Sequence, residues 1–292
     1  MWAIFLIPGE RWRVFDVALF QMSNLKLLFP FFRFCLLNTR ETLSNIYNLT
    51  LDMQSRNILD KKYKLPKGIP TIDLLELFPG FEETISDYTF LEGTSTINDI
   101  AILKLFAKRF PTGKYFEFGT WRGESISNVA ACMKECVSLS FSEKEMRDFK
   151  LPDEVINVSR IFSRHLNNVK QIEHNTLTYD FKDLKGKFDL VFVDADHKYE
   201  AVKTDTRNAF SLLRDENSII VFHDAGKDLE DINWPVQAGI LDGAPNDDCR
   251  AKIYKISNSL CAVYINGKYN TSYPERYKPN KKFTVKVFAE KL

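Results

Sequence analysis

The sequence lacks several features that would assign it to a class at once. Its 292 residues include only five cysteines and no CxxC pair, so neither a complete disulfide framework nor a cysteine-based metal site is indicated. Lys and Arg total 40 against 39 for Asp and Glu, without the basic excess that binding to a phosphate backbone needs. We therefore expect a protein of the reducing cytoplasm that does not bind nucleic acid.

Long uninterrupted apolar runs are also missing. The apolar stretches at residues 1–7, 15–20 and 25–37 are separated or interrupted by charged residues and Pro30. None resembles a signal peptide or is long enough to span a bilayer. The stretch at 25–37 fits a helix that docks on its own domain or on a second subunit of a homo-oligomer, so we expect no membrane contact. Met22 is an alternative start of the chain.

The rest of the chain alternates between strand and helix patterns. Nearly unbroken apolar runs, typical of parallel strands buried on both faces, lie at residues 115–119, 136–140, 169–174, 188–194 and 218–224. A capping box at residues 96–99 predicts the start of a helix. Two apolar runs around Asn258-Ser259 predict an antiparallel hairpin near the carboxyl end. The pattern predicts an α/β fold.

The same pattern suggests where the domains end. Residues 40–65 are polar with spaced apolar positions, which predicts one or two amphipathic helices. We expect a helical, aromatic extension over residues 1–85, an α/β domain over residues 86–270 and a tail over residues 271–292.

The first motif that carries chemistry is Glu117-Phe118-Gly119-Thr120-Trp121-Arg122-Gly123, between a predicted strand and a helix start. Glycine at the carboxyl end of a strand lets the backbone approach a ligand closely. The spacing differs from the G-x-G-x-x-G of dinucleotide binders and from the phosphate-binding P-loop, which argues against a nicotinamide oxidoreductase. An ordinary tight turn can contain the same residues, so this motif alone does not decide.

Acids and histidines follow two further predicted strands. Asp194 and His197 come after one strand, and His223-Asp224 end the next. Because the carboxyl ends of parallel strands share one edge of a sheet, we expect these residues to lie together. Carboxylates bind hard divalent cations, and a histidine with a near-neutral pKa suits general-base chemistry. Taken singly, each of these residues has an alternative role as a helix cap.

Together the two motifs resemble those of class I S-adenosylmethionine-dependent methyltransferases. The D-x-x-H order of Asp194 and His197 is similar to the subgroup that includes the macrocin-type sugar O-methyltransferases. The resemblance spans roughly residues 94–265. It implies a Rossmann-like doubly wound sheet of seven strands, mostly parallel with the antiparallel hairpin at its end. It also implies O-methylation of a small-molecule or glycan hydroxyl.

The resemblance further implies a role for each matching residue. His197 takes the proton from the acceptor hydroxyl, and Asp194 assists. The implied metal ligands are Asp194, Asp224 and His223, holding Mg²⁺ or Mn²⁺. The implied binding residues for S-adenosylmethionine are Glu117, Gly119, Thr120, Gly123, Ser140, Asn175 and Asp194. His223 departs from the family pattern, because an imidazole ligand favours Mn, Fe or Zn over Mg; it is alternatively a second base, or no metal binds.

Two departures concern the cofactor. Ser140 stands where the family usually has an acid for the ribose hydroxyls, and Asn175 stands where it has an Asp for the adenine amino group. The carbonyl oxygen of Asn175 can still accept that hydrogen bond. These changes motivate an alternative hypothesis, a binding or scaffold protein on a degenerate methyltransferase fold without catalysis.

Overall fold

The computed structural model describes residues 37–291, so the apolar segments predicted at 1–7 and 15–20, and nearly all of 25–37, lie outside the described residues. The described residues divide into two units, residues 37–54 and residues 55–291. The described part of the first unit lies mainly in helix α1 (Thr39–Asn57), within the region predicted to be helical. Across residues 37–291, no helix combines the length and the apolar character needed to cross a bilayer.

The second unit is built on a nine-stranded sheet in the order β4-β3-β2-β5-β6-β8-β7-β1-β9. Five of its eight strand pairings are parallel, which confirms a mostly parallel α/β sheet. The strands are β1 (Thr71–Ile72), β2 (Lys114–Phe118), β3 (Glu135–Ser140), β4 (Val169–Glu173), β5 (Leu190–Val193), β6 (Ile219–Phe222), β7 (Ile253–Ile256), β8 (Ala262–Tyr264) and β9 (Thr271–Ser272).

The predicted count of seven strands is wrong. The two additional strands, β1 and β9, are two residues long and lie outside residues 86–270. Strands this short show no alternation of apolar and polar residues, so periodicity does not reveal them. Strands β7 and β8 do pair antiparallel, but β7 is not the edge of the sheet, because β1 pairs with it and β9 pairs with β1.

Helices cover both faces of this sheet. They are α2 (Leu74–Leu77), α3 (Ile97–Ala107), α4 (Glu124–Ala130), α5 (Glu143–Asp148), α6 (Asp153–Val158), α7 (Tyr199–Leu212), α8 (Trp234–Gly243) and α9 (Asp247–Arg250), with a π-helical turn at Ile58–Lys62 and a 3-10 turn at Lys182–Leu184. Helix α3 begins with the predicted capping box, in which the side chains of Thr96 and Asp99 bond to each other's backbone N–H groups.

Alternation along the strands separates the core into two layers. In β2, Phe116 and Phe118 are buried in the cluster that also contains residues of α7 and α8. Tyr115 points the other way, into the cluster that contains residues of α3 and α4. Successive strand residues face opposite sides of a sheet, so one five-residue strand supplies both layers.

The strand order creates a crevice at one place. From β2 the chain continues to β3 and β4 on one side, and then crosses to β5 and β6 on the other side. Ligands of open α/β sheets bind at such a reversal, outside the carboxyl ends of the strands. Here the reversal lies between β2 and β5, where the first predicted motif and Asp194 emerge.

Gln237 generates a prediction about stability. Its fully buried side chain accepts a hydrogen bond from Ile69 N (2.8 Å) and donates one to Ala225 O (2.6 Å). The variant Gln237→Leu leaves both backbone groups unpaired, and each such group costs about 1–3 kcal/mol. We expect chemical denaturation to show a free energy of unfolding lower by at least ~2 kcal/mol.

Gln171 supplies the control for this experiment. Within residues 37–291 its side chain bonds only to the side chains of Ser138 and Ser163, so Gln171→Leu leaves no described backbone group unpaired. A loss of stability no larger for Gln237→Leu than for Gln171→Leu would contradict the prediction.

Candidate active site

Gly119 and Asp194 lie side by side at the crevice. Asp194 N donates a hydrogen bond to Phe118 O (2.9 Å), which continues the β2–β5 ladder past the last residue of β5. Gly119 has φ +81°, and a Cβ atom there would lie 2.3 Å from Asp194 O. Only glycine fits, because any side chain would collide with the backbone of the neighbouring loop. The loop after β2 is therefore held tightly against Asp194.

Glu117 is fully buried beside this contact. Its Oε2 atom accepts hydrogen bonds from Tyr115 OH (2.6 Å) and Ser125 Oγ (2.8 Å), whereas Oε1 has no partner among the described residues. Burial raises the pKa of Glu117 to about 8, with a contribution from the charge of Asp194 and against the two hydrogen bonds. An uncompensated buried carboxyl oxygen is a ready acceptor for a cationic ligand.

The neighbouring cofactor candidates also present polar atoms. Thr120 Oγ1 and Ser140 Oγ are buried and have no hydrogen-bond partner within the described part of the chain. Asn175 is held in a turn, because its Oδ1 accepts from Leu177 N (2.9 Å) and its own N–H donates to Glu145 Oε1 (3.0 Å). Gly123, with φ +88°, immediately precedes α4. The predicted cofactor residues thus line the carboxyl ends of β2, β3 and β4.

A loop at residues 89–95 lies over Gly119. Sequence reasoning missed the two residues that hold this loop in place, Arg122 and Glu124. Glu124 Oε1 accepts a hydrogen bond from Thr89 N (2.9 Å), and Arg122 Nη1 donates to Glu92 O (3.0 Å). The same loop brings Ser95 Oγ to 3.4 Å from Asp194 Oδ2. The cavity that it leaves beside Gly119 has a volume of ≈ 30 Å³ and is lined also by Thr120, Ser125 and Asp194.

His197 and Asp224 form a pair at the rim of the site. Their Nδ1 and Oδ2 atoms are 2.9 Å apart, and the His197 side chain is about half exposed. The hydrogen bond that His197 donates to Asp224 raises the pKa of His197 above its usual value, and partial burial opposes the rise. Because Asp224 holds Nδ1, the Nε2 atom of His197 is left without a partner among the described residues.

His223 lies beneath this pair and is 8% exposed. Its Nδ1 atom is 3.2 Å from Asp194 Oδ1 and 3.5 Å from Asp224 Oδ1, yet makes no well-oriented hydrogen bond to any described residue. One ligand atom from each of Asp194, His223 and Asp224 lies within 4.8 Å of the others. The structure therefore brings together the three residues that the sequence proposed as metal ligands.

Charge around His223 determines its protonation. Burial disfavours a charged ring, but the nearby carboxylates of Asp194, Asp224 and Asp99 raise the pKa of His223 well above its usual value. The hydrogen bond that His197 donates, together with the nearby charge of His223, holds the pKa of Asp224 well below its ordinary range despite burial. The surroundings of His223 thus favour the cationic form of its buried ring.

A larger cavity of ≈ 770 Å³ opens further along the same edge. Its lining includes Thr96 and Asn98 at the start of α3, Lys227 after β6 and residues 257–259 between β7 and β8. Residues 273–280 of the carboxyl-terminal tail form another wall. Because β6, β8 and β7 are consecutive in the sheet, the edge carries the Gly119 cavity, the acid–histidine cluster and the large cavity in that order.

The central part of the chain is similar in sequence to a known family of domains. Residues 116–225 match a family model described as a methyltransferase domain. This segment is less than half of the chain, but it runs from β2 to just beyond β6 and contains Gly119, Asp194, His197 and Asp224. The match agrees with the general resemblance inferred from the motifs and does not identify the macrocin-type subgroup. No curated protein matches the chain in sequence.

Several solved structures are similar to it at low identity. They include the SAH-bound methyltransferase PaMTH1 of Podospora anserina, with 22% identity over 45% of this chain and 54% of that one and a TM-score of 0.35. Two others are cofactor-bound Rv0187 from MTB (18% identity over 60% of this chain and 82% of that one, TM-score 0.42) and an O-methyltransferase from Bacillus cereus in complex with SAH (15% identity over 60% and 84%, TM-score 0.38). The chain spans about half the length of the Podospora protein. Such distant similarities do not show what this chain binds or modifies.

The buried carboxyl of Glu117 generates a prediction about pH. Its pKa is about 8 in the folded protein against 4.5 for an unperturbed carboxyl, so the folded state holds a proton that the unfolded chain releases between these values. Stability attributable to this group is therefore full below pH 4.5 and is lost as the pH rises towards 8. We expect Glu117→Gln to lose less stability than the native chain between about pH 6 and about pH 9 in thermal unfolding. Parallel stability curves for the two proteins would contradict the raised pKa.

Proposed function

We propose that this chain is an S-adenosylmethionine-dependent O-methyltransferase that acts, with a divalent metal, on a hydroxyl of a sugar or related natural product. The observation that carries the proposal is the arrangement at one sheet edge. There the cavity beside Gly119 reaches Asp194, and Asp194 and Asp224 both lie against His223, next to the His197–Asp224 pair. The subgroup resemblance of Asp194 and His197 to the macrocin-type enzymes supports the choice of a sugar hydroxyl.

The residues around Gly119 fit the cofactor. The unpaired oxygens of Glu117, Thr120 and Ser140 are buried acceptors that suit an amino group and ribose hydroxyls. Gly119 packs directly against the backbone of Asp194, which keeps the loop after β2 beside these oxygens. S-adenosylmethionine supplies an electrophilic methyl group when bound.

The acid–histidine cluster fits a divalent metal. Asp194 and Asp224 offer hard oxygen ligands, and His223 Nδ1 is a buried nitrogen that lacks a hydrogen-bond partner within residues 37–291. The imidazole favours Mn²⁺ over Mg²⁺. A bound cation would lower the pKa of an acceptor hydroxyl.

His197 is the proposed general base. Asp224 fixes its Nδ1 atom, and the half-exposed ring leaves Nε2 available to take the proton of the acceptor hydroxyl. Because the pairing raises the pKa of His197, the ring reaches its neutral, active form at a higher pH than an unperturbed histidine does, which favours turnover at mildly alkaline pH. Asp194 lies against Gly119 on one side and against His223 on the other. It therefore connects the proposed cofactor site with the proposed metal and base site.

The ≈ 770 Å³ cavity is the proposed acceptor site. Its size is in the usual range for small-molecule pockets. The tail supplies Tyr273 and Tyr277 as flat surfaces, and Asn98 and Asn258 supply amide groups. An acceptor with many hydroxyl groups would use both, whereas a purely apolar one would leave the amides unpaired.

Cofactor binding is the first testable consequence. We expect calorimetry to show micromolar binding of S-adenosylmethionine and S-adenosylhomocysteine, with proton release near neutral pH as the bound amino group ionises Glu117. Addition of Mn²⁺ in place of chelator should change the binding heat. No binding under any condition would contradict the enzyme and favour the alternative of a degenerate scaffold, which the Ser140 and Asn175 departures also allow.

Two substitutions separate the proposed roles. We expect His197→Ala to lower turnover by about 10²–10⁴-fold while binding S-adenosylhomocysteine normally, because the base does not hold the cofactor. We expect Gly119→Val to abolish both, because its Cβ would meet Asp194 O at 2.3 Å. Methyl-transfer assays and calorimetry on the two variants check this, and an equal loss of cofactor binding in both would exclude the role assigned to His197.

A further inference from the structure

Asp99 does more than cap a helix. It is only 2% exposed, and its Oδ2 atom accepts hydrogen bonds from Thr96 N (2.9 Å) and Thr96 Oγ1 (2.7 Å) at the start of α3. The same oxygen lies 3.2 Å from His223 Nε2, and Oδ1 accepts from Leu260 N (2.9 Å). One carboxylate thus joins α3, the segment before β8 and the residue that follows β6.

The contact with Asp99 determines which end of the His223 ring faces the cluster. A carboxylate is only an acceptor, so His223 Nε2 must carry a hydrogen to bond to it. The opposite nitrogen, Nδ1, then lies 3.2 Å from Asp194 Oδ1. Turning the ring over would place carbon atoms against Asp99 and leave part of a buried carboxylate unpaired, which is costly.

We propose that Asp99 is a positioning residue, which accepts the hydrogen of His223 Nε2 and thereby holds the ring with Nδ1 facing Asp194 and Asp224. Asp99 does not itself reach the reacting groups, because its oxygens are occupied by α3, Leu260 and His223. Metal-binding histidines commonly donate their second nitrogen to such a carboxylate, and loss of that partner typically weakens metal binding by 10–100-fold. The expected effect on metal affinity rests on the metal site proposed above, whereas the orientation of His223 does not.

The full-length chain allows a test with two independent readouts. The first is the NMR resonance of the His223 Nε2 proton in the absence of metal, assigned by its loss in His223→Gln. The second is the affinity for Mn²⁺ alone, measured by calorimetry. We expect Asp99→Ala to lose the resonance and to weaken Mn²⁺ binding by about 10–100-fold.

Two further variants separate positioning from stability. Thr96→Ala removes the helix cap but not the contact with His223, so it should lower the melting temperature and leave both readouts unchanged. Asp99→Asn keeps an acceptor oxygen, so it should retain the resonance at a shifted position and bind Mn²⁺ better than Asp99→Ala does. This partial rescue is what an acceptor role requires.

The outcomes distinguish this inference from the proposed function. An unchanged resonance in Asp99→Ala, or unchanged Mn²⁺ binding in a chain that binds Mn²⁺, would overturn it. If Asp99→Ala does not fold, an unshifted resonance in Asp99→Asn would overturn it as well. A native chain that binds no Mn²⁺ but shows the Asp99-dependent resonance would refute the metal site and uphold the role of Asp99.

Discussion

The parallel pairing of β5 between β2 and β6 is the constraint on which the site depends. In this register Phe118 lies opposite Val193, and Val193 lies opposite Phe222, so the next residue of each strand emerges at the same level. Because side chains alternate, Glu117 shares a face with Phe192 and Val221, the face covered by α3. A slip of one residue would turn all of these side chains to the other face.

Several buried carboxyl groups lie close together at this edge of the sheet. The structure offsets the free-energy cost of burying their charges in two ways. Glu117 keeps its proton, since burial outweighs the two hydrogen bonds that favour the anion. Asp99 and Asp224 stay ionised because histidines donate to them; these bonds lower both pKa values against the effect of burial. Unpaired buried carboxylates would otherwise cost much of the free energy of folding.

Local patterns predicted much of the fold, and long-range contacts account for what they missed. Strands β5 and β6 are continuous apolar runs, and the capping box of α3 is a four-residue signal, so both could be predicted from the sequence. Topology then placed Asp194 and Asp224 at one edge. The contact of Asp99 with His223 joins residues 124 positions apart, and the ties of Arg122 and Glu124 to the loop at 89–95 depend on the fold, so no local spacing reveals them.

The raised pKa of His223 means that the acid cluster already contains its own cation. Carboxylates that would otherwise repel one another are held by the imidazolium, so assembly of the site does not have to wait for a metal, in contrast to small domains that fold only when metal binds.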